Sequence, residues 1–420
     1  MKQPIAIIGG GLCGLTSAIR LAEKGHDIHL YEAAPALGGR TRSFHDATVD
    51  QWVDNGPHLL IGAYRATRNL LESVGASSNV TWQHSLKLPL WDQKRGHFCL
   101  APQPYLPFPL ALMTALYRLP GHSINSLSSL LRIDRSMKRV SATSVKAWME
   151  QERVSPALQR DLIEPLCLGA MNEPMESADC NSFASVLREA FANHDHARLG
   201  WFNKPLSQAV IKPLGQRLES LGGSIYTSTT IRSIEQLENR CQLHTGQHEL
   251  GPYRNVVIAL PAYARNRLLG INEPIETRPI TNVHLWFENN LSLAEPLIGG
   301  IGTRGQWYFD VSTQMHQRGP HHICVVISAE KADDKKELIE HICEEVTSIS
   351  GRATLRPMHS KIVTEQHATV LVSATHRSMN SGMIIDASEA PLPGDFPATI
   401  EAAVLRGEEV AKALCFQQIQ

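Results

Sequence analysis

The sequence feature that most constrains the fold is a glycine-rich turn close to the N-terminus. An apolar run over residues 5–8 predicts a buried strand, and it leads directly into a Gly-x-Gly-x-x-Gly motif at residues 9–14. A helix with one apolar face follows, and a second strand pattern over 28–31 ends at Glu32. Strand, glycine turn, helix, strand and acid in this order predict a doubly wound α/β domain that binds a dinucleotide.

Each residue of this motif has a physical role. Gly9 permits the tight turn, Gly11 lets the backbone approach a pyrophosphate, and Gly14 allows the helix to pack closely on the strand. The free N–H groups and the positive dipole end of the helix favour the phosphates. Glu32 can accept hydrogen bonds from both ribose hydroxyls, which disfavours NADP and leaves NAD and FAD.

A second glycine pair favours FAD. Gly38, Gly39 and Arg40 follow the acid closely, and such a pair suits a long cofactor whose pyrophosphate and ribityl chain cross the sheet edge. Arg40 would add a fixed cation against phosphate. The alternative is a surface turn with a solvated arginine. Ile231, at the end of a strand pattern over 222–231, completes the candidate cofactor-binding residues.

Composition excludes several other classes of protein. The 40 basic and 41 acidic residues nearly cancel, which argues against a nucleic-acid-binding protein. The eight cysteines lack a disulfide pattern and indicate a cytoplasmic protein, and neither they nor the nineteen histidines show metal-ligand spacing. The first strand begins at once and no apolar run reaches about 18 residues, so neither a signal peptide nor a spanning helix is expected.

One apolar segment bears on lipids. Residues 104–120 are apolar and flanked by prolines, and Arg118 is their only charge. The segment is too short to cross a bilayer, but it suits a helix that lies in a membrane interface or lines an apolar tunnel. The alternative is an ordinary core helix of a cap domain.

The order of patterns along the chain predicts two interleaved domains. Cofactor-type segments over 1–75, 204–264 and 371–420 would form a discontinuous FAD-binding domain, which ends in a helix predicted to begin at Pro397. The insertions 76–203 and 265–370 would form a substrate domain of mixed sheet with a helical cap.

Several stretches together resemble a known superfamily. The motif of 9–32, the segment 38–40, the strand before Pro261 and the terminal helix resemble the flavin amine oxidase and phytoene desaturase superfamily. Narrower stretches resemble the squalene-associated FAD-dependent desaturases, now understood as hydroxysqualene dehydroxylases: 53–67, 165–174, 279–286, 306–307 and 397–401. The resemblance covers nearly the whole chain.

The resemblance implies an FAD enzyme of squalene and hopanoid biosynthesis. Its substrate would be a C30 isoprenoid lipid, hydroxysqualene, whose hydroxyl is removed to give squalene. Reduced FAD would be the hydride source, and NAD(P)H or another reductant would supply the electrons. A cytoplasmic location, with or without peripheral membrane contact, fits a lipid substrate.

Removal of an allylic hydroxyl needs a proton, so the resemblance also implies a general acid near the flavin. His58 is the candidate, because it follows the turn 54–56, which runs beside the isoalloxazine in this superfamily. The alternative is a structural histidine bonded to backbone. By resemblance alone, Tyr64, Asn172 and Trp307 are candidate pocket residues.

The chain departs from the family pattern at two points. Pro57 stands where the family usually has glutamine. The aspartate that binds the ribityl chain before the last helix also lacks its usual context; Asp386 is the first candidate, and Glu389 and Asp395 are its rivals.

Three alternative functions remain open from the sequence. A carotenoid- or phytoene-type desaturase would transfer hydride in the opposite direction and would need no proton donor. An amine oxidase is disfavoured, because no aromatic pair precedes the last helix. A non-catalytic flavin- or lipid-binding scaffold is the alternative from another class, and the altered segment after Asp386 is its support.

Overall fold

The structure is a computed structural model that describes residues 3–291, 293–332, 334–352, 354–373 and 382–416. The described strands are β1 (Ile5–Ile8), β2 (Ile28–Tyr31), β3 (Ser43–Asp46), β4 (Gln51–Asp54), β5 (Leu59–Ile61), β6 (Val80–Trp82), β7 (Leu88–Asp92), β8 (Gly96–Leu100), β9 (Leu199–Phe202), β10 (Ser224–Tyr226), β11 (Ser233–Gln236), β12 (Cys241–His244), β13 (Glu249–Tyr253), β14 (Asn255–Ile258), β15 (Thr277–Phe287), β16 (Leu297–Ile301), β17 (Trp307–Asp310), β18 (His321–Ser328), β19 (His359–Val370) and β20 (Ile384–Asp386).

The described helices are α1 (Leu12–Ala22), α2 (Arg65–Ser73), α3 (Phe108–Tyr117), α4 (Ile124–Ser136), α5 (Val145–Gln151), α6 (Pro156–Leu158), α7 (Glu164–Met171), α8 (Cys180–Ala190), α9 (His194–Ala197), α10 (Lys212–Ser220), α11 (Ala262–Leu269), α12 (Val311–Met315), α13 (Lys335–Ser350) and α14 (Ile400–Phe416). Two π-helical turns, Gln159–Ile163 and Ser207–Ile211, and a 3₁₀ turn, Ser77–Asn79, complete them. Within the described ranges, no helix is long and apolar enough to cross a membrane.

A five-stranded parallel sheet brings the two chain ends together. Its order is β10-β2-β1-β14-β20, so strands from the start, middle and end of the chain lie side by side. The register pairs Ile8 with Tyr31 and Ile258, and Ile258 with Asp386. Because the strands are parallel, their carboxyl ends meet at one edge, which is where ligands bind in folds of this type. The predicted doubly wound α/β class is confirmed.

The strands of this sheet are apolar on both faces because both faces are covered. Ile5 and Ile7 belong to an apolar cluster with α1, α10 and α14, whereas Ala6 and Ile8 belong to another cluster with the antiparallel sheet β11-β12-β13. Alternate side chains of β1 therefore pack against different layers. This double burial explains why the strand is a continuous apolar run instead of an alternating pattern.

The C-terminal helix packs closely on the first helix. A Cβ atom on Gly407 of α14 would lie 2.6 Å from the Cβ atom of Thr16 and 2.7 Å from the carbonyl oxygen of Cys13. The hydroxyl of Ser17 donates to the carbonyl oxygens of Cys13 at 2.9 Å and of Gly407 at 3.3 Å. Only glycine at position 407 allows the two backbones to approach this closely.

Two element boundaries differ from the sequence prediction. The last helix begins at Ile400 instead of Pro397, because the hydroxyl of Thr399 accepts from the N–H of Ala402 and caps the helix. The strand predicted over 222–231 extends only from Ser224 to Tyr226. The chain then leaves the sheet, and Ser228 adopts a positive φ of 52°.

The chain also forms a separate sheet of seven strands. Its order is β19-β15-β18-β17-β16-β7-β8, and its pairs are antiparallel except for the parallel pair of β7 and β16. Helices α3 to α8 contribute to an apolar cluster with this sheet, and α13 contributes to a second cluster. The strands come from 88–100 and 277–370, within the two predicted insertions. The division into two domains at the stated boundaries stays a prediction.

Glu401 ties α14 to α2 through a buried carboxylate. Its oxygens accept from the N–H groups of Ala66 and Thr67, each at 2.8 Å, and from the hydroxyl of Thr67 at 2.7 Å. The carboxylate thus supplies acceptors for the N–H groups in the first turn of α2, which have no partner within the helix.

Replacing Glu401 with alanine should lower the free energy of unfolding by about 2–4 kcal/mol, because three buried donors lose their acceptor. Glu408→Ala on the same helix is the matched control. It removes a partly exposed ion pair with Arg20 and should cost less than about 1 kcal/mol. Chemical denaturation of both variants measures the difference, and equal losses would show that the Glu401 carboxylate adds no particular stability.

Candidate active site

The glycine turn after β1 has the close contacts that its sequence predicts. Gly9 has a φ of +111°, and a Cβ atom on Gly14 would lie only 1.9 Å from the carbonyl oxygen of Gly9. A Cβ atom on Gly11, which caps the N-terminus of α1, would meet no atom within 4 Å. The first turn of α1 is therefore packed against the strand on one side and faces open space on the other.

Glu32 is fixed against this turn. One carboxylate oxygen accepts from the N–H of Gly10 at 2.7 Å, and the other accepts from the N–H of Ala34 at 2.8 Å. The end of β2 is thereby held next to the end of β1. Ile231 is buried in the apolar cluster that the parallel sheet shares with β11-β12-β13. Tyr31 belongs to the same cluster.

The second glycine pair lies directly beside the first glycine turn. The N–H of Gly38 donates to the carbonyl oxygen of Gly10 at 2.9 Å, and a Cβ atom on Gly39 would lie 3.5 Å from the Cα atom of Gly11. Arg40 follows, and its guanidinium donates to Glu389 at 2.5 Å and to the carbonyl oxygen of Ala368 at 2.6 Å.

The three acids proposed for the segment before the last helix have different surroundings. Asp386 accepts from Arg265 at 3.0 Å and from the N–H of Ser388 at 2.9 Å. Asp395 is exposed and accepts from the N–H of Leu392. Glu389 is only 2% exposed; one of its oxygens pairs with Arg40, and the other is buried with no hydrogen-bond partner among the described residues.

The turn after β4 also has unsatisfied buried oxygens. The amide nitrogen of Asn282 donates to the carbonyl oxygen of Asn55 at 2.9 Å, and a Cβ atom on Gly56 would lie 2.7 Å from that nitrogen. Within the described part of the chain, the side-chain oxygens of Asn55 and Asn282 are buried and accept no hydrogen bond. Sequence reasoning missed Asn282, although it lies in the segment 279–286 that carried the family resemblance.

Burial shifts two titratable groups near this turn in opposite ways. The pKa of His58 is lowered to about 4, mainly by burial and further by the charge of Arg40. The pKa of Asp54 is raised to about 7 by burial, although hydrogen bonds from Ser43 and the N–H of Leu206 oppose the rise. At pH 7, His58 is therefore neutral, whereas Asp54 can still hold a proton.

The three candidate pocket residues differ in how they are held. Tyr64 is partly buried at the N-cap of α2, and burial raises its pKa. Asn172 is buried, donates to Pro279 and Thr369, and accepts from the N–H of Ala329 at 2.7 Å, so it connects three segments.

Trp307 is packed between two glycines. Cβ atoms on Gly169 and Gly299 would each lie 3.0 Å from the indole ring. The ring also belongs to the apolar cluster of the helical layer. These contacts hold Trp307 in place, and the structure does not bring it, Asn172 or Tyr64 into hydrogen-bond contact with one another within the described ranges.

Comparison with known proteins identifies the family. Residues 12–375 match the family model described as flavin containing amine oxidoreductase, and the chain belongs to this family. It is 27% identical to hydroxysqualene dehydroxylase of Sinorhizobium fredii and 28% identical to that of Rhodopseudomonas palustris, with 98% of each chain covered in both cases. The 15-cis-phytoene desaturase of Glycine max is 25% identical over 68% of this chain and 54% of its own length.

Solved structures agree on the fold. An oxidoreductase from Methanosarcina mazei has a TM-score of 0.76 at 16% identity, with 98% of this chain and 100% of that chain covered. Cyclohexylamine oxidase from Brevibacterium oxydans has a TM-score of 0.71 at 15% identity, with both chains fully covered.

The chain is therefore an FAD-dependent oxidoreductase, and the observed geometry fits this cofactor. The open space in front of Gly11 suits a pyrophosphate at the N-terminus of α1. The unpartnered oxygens of Glu389, Asn55 and Asn282 suit the hydroxyl and N–H donors of a long polar ligand.

Glu389→Gln should weaken FAD binding about tenfold or more, because Glu389 is the acid with a buried free oxygen and its charge also holds Arg40. Asp386→Asn is the matched control and should leave the affinity close to that of the wild type, since Asp386 bonds Arg265 and Ser388. Titration of each apoprotein with FAD, followed by flavin fluorescence, measures both affinities. A larger loss of FAD affinity in Asp386→Asn than in Glu389→Gln would assign the ribityl chain to Asp386.

Proposed function

We propose that this protein removes the hydroxyl group of hydroxysqualene to form squalene. The observation that supports this proposal most is the extent of the similarity, because relatives named hydroxysqualene dehydroxylase match over 98% of both chains. The named phytoene desaturase shares only 54% of its length with this chain.

The proposed reaction replaces a C–O bond of the substrate with a C–H bond. A hydride and a proton enter, and squalene and water leave. Bound reduced FAD would supply the hydride, and NAD(P)H is the reductant that we propose to restore it. The protein must deliver the proton to the leaving oxygen and must exclude water from the carbon that loses it.

We assign the cofactor-holding roles to two loops and two acids. Gly9, Gly11 and Gly14 would hold the pyrophosphate together with Gly39, which lies beside them. Glu32 would accept from the adenosine ribose. Glu389 would accept from the ribityl chain, while its ion pair with Arg40 holds the carboxylate in place. Asp386 fits this role less well, because its carboxylate is already bonded to Arg265 and Ser388.

We assign proton delivery to the segment that contains Asp54 and His58. His58 stays the candidate that contacts the leaving hydroxyl, but its lowered pKa leaves it neutral at pH 7. Asp54 can hold a proton at that pH, because burial raises its pKa to about 7. We therefore propose Asp54 as the proton source of this segment and His58 as the hydrogen-bond partner of the substrate.

A phytoene-type desaturase is the second candidate function, and the similarity to 15-cis-phytoene desaturases is the observation that favours it. Desaturation moves hydride from the lipid to oxidised flavin, so the two functions differ in the direction of hydride transfer.

The cytoplasm is the compartment we propose for either function, since all eight cysteines are unpaired.

Anaerobic flavin spectroscopy tests the proposed function. Reduced protein mixed with hydroxysqualene should regain the absorbance of oxidised flavin and should yield one squalene for each flavin. The same protein, reduced and mixed with squalene, is the control and should show no change. Flavin that stays reduced with hydroxysqualene, but is bleached from the oxidised state by phytoene, would overturn the dehydroxylase in favour of the desaturase.

The rate of this flavin reoxidation should fall as pH rises through about 7, because Asp54 loses its proton there. Asp54→Asn keeps the shape and an acceptor for the N–H of Leu206, and it should lower the rate and remove the fall near pH 7. A fall centred near pH 4, the lowered pKa of His58, that persists in Asp54→Asn would assign the proton to His58 alone.

A further inference from the structure

Exposed apolar side chains are concentrated on one part of the helical layer. Eleven large apolar residues are exposed among those the structure describes, and five of them lie between residues 105 and 131. We call these five the apolar patch: Tyr105, Leu110, Tyr117, Ile124 and Leu131. The surface of a typical enzyme exposes such residues singly, so their concentration in one segment indicates a binding surface.

Helix geometry places the patch on the outer faces of α3 and α4. Leu110 and Tyr117 are separated by two turns of α3, and Ile124 and Leu131 by two turns of α4, so each pair shares a face. The inner faces are buried, because they carry residues of the same apolar cluster as Trp307, namely Phe108, Leu112, Leu116 and Ile133. The inner face of α3 is therefore that of a core helix, one of the alternatives that its sequence left open, and its outer face is apolar and exposed.

Along the chain segment that carries the patch, basic residues outnumber acidic ones. No aspartate or glutamate occurs between residues 93 and 133, although the chain has 41 acidic residues. Arg118 is exposed at the end of α3, and Arg135, Lys138 and Arg139 are exposed at the end of α4, beside the single exposed acid Asp134. Arg135 and Lys138 lie on the same face of the helical path as Ile124 and Leu131.

We propose that the apolar patch docks on an anionic phospholipid bilayer. The five apolar side chains would enter the boundary between headgroups and acyl chains, and the basic residues would contact lipid phosphates. A second copy of this chain fits less well, because an isologous contact through this face would bring its basic residues together. The proposal rests on the proposed function only in that a C30 lipid substrate would be drawn from such a surface.

Co-sedimentation with lipid vesicles tests the proposal. The FAD-loaded protein should bind vesicles of phosphatidylcholine with phosphatidylglycerol, more weakly at high salt, and should bind phosphatidylcholine vesicles much less. The double variant Ile124→Ser and Leu131→Ser should bind about tenfold more weakly or worse. The matched control is Met358→Ser with Leu392→Ser, two exposed apolar residues outside the patch, and it should bind as the wild type does.

Three results would overturn the proposal: no binding of the wild type to anionic vesicles, equal binding of the two double variants, or loss of binding in the patch variant together with conversion of a wild-type dimer to a monomer by light scattering. FAD content and melting temperature of each variant show that it is folded. Squalene formation from hydroxysqualene in detergent micelles is measured in parallel; its absence would refute the proposed function while leaving the vesicle result intact.

Discussion

The close contact between the first turn of α1 and the end of β1 is the constraint on which the rest of the cofactor region depends. Gly14 can approach the carbonyl oxygen of Gly9 because neither residue has a side chain there. With α1 held in this position, α14 packs on it through Gly407, and the carboxylate of Glu401 then fixes the start of α2. The last helix of the chain is thus packed into the same cofactor region as the first strand and the first helix.

Charged residues of the candidate site lie together at the carboxyl edge of the parallel sheet. Glu32 directly follows β2, and the loop after β20 places Glu389 against Arg40. Glu389 is almost fully buried, so its pairing with Arg40 offsets the cost of removing a charge from water. The buried pair leaves one carboxylate oxygen free, and a polar ligand that donates to this oxygen would complete the set.

The sequence predicted the parts of this arrangement that depend on local geometry. The glycine turn, the acid at the end of β2 and the second glycine pair follow from short-range spacing, and they lie together as expected. The acid before α14 could not be chosen in the same way. The loop between β20 and α14 is positioned by contacts far away in sequence, such as the bond from the hydroxyl of Ser185 to the carbonyl oxygen of Gly394. Asn282 was missed for the same reason, because its partner Asn55 lies more than two hundred residues earlier.

Burial determines which group of the 54–58 segment can hold a proton. An apolar environment disfavours any charged form, so it raises the pKa of the Asp54 acid and lowers that of the His58 base. Arg40 adds to the effect on His58, because its positive charge opposes a second one. If the anionic pyrophosphate lies near Arg40, as the sequence pattern predicts, it would offset this repulsion and raise the pKa of His58 toward its ordinary value. The protonation of His58 would therefore depend on whether the cofactor is bound.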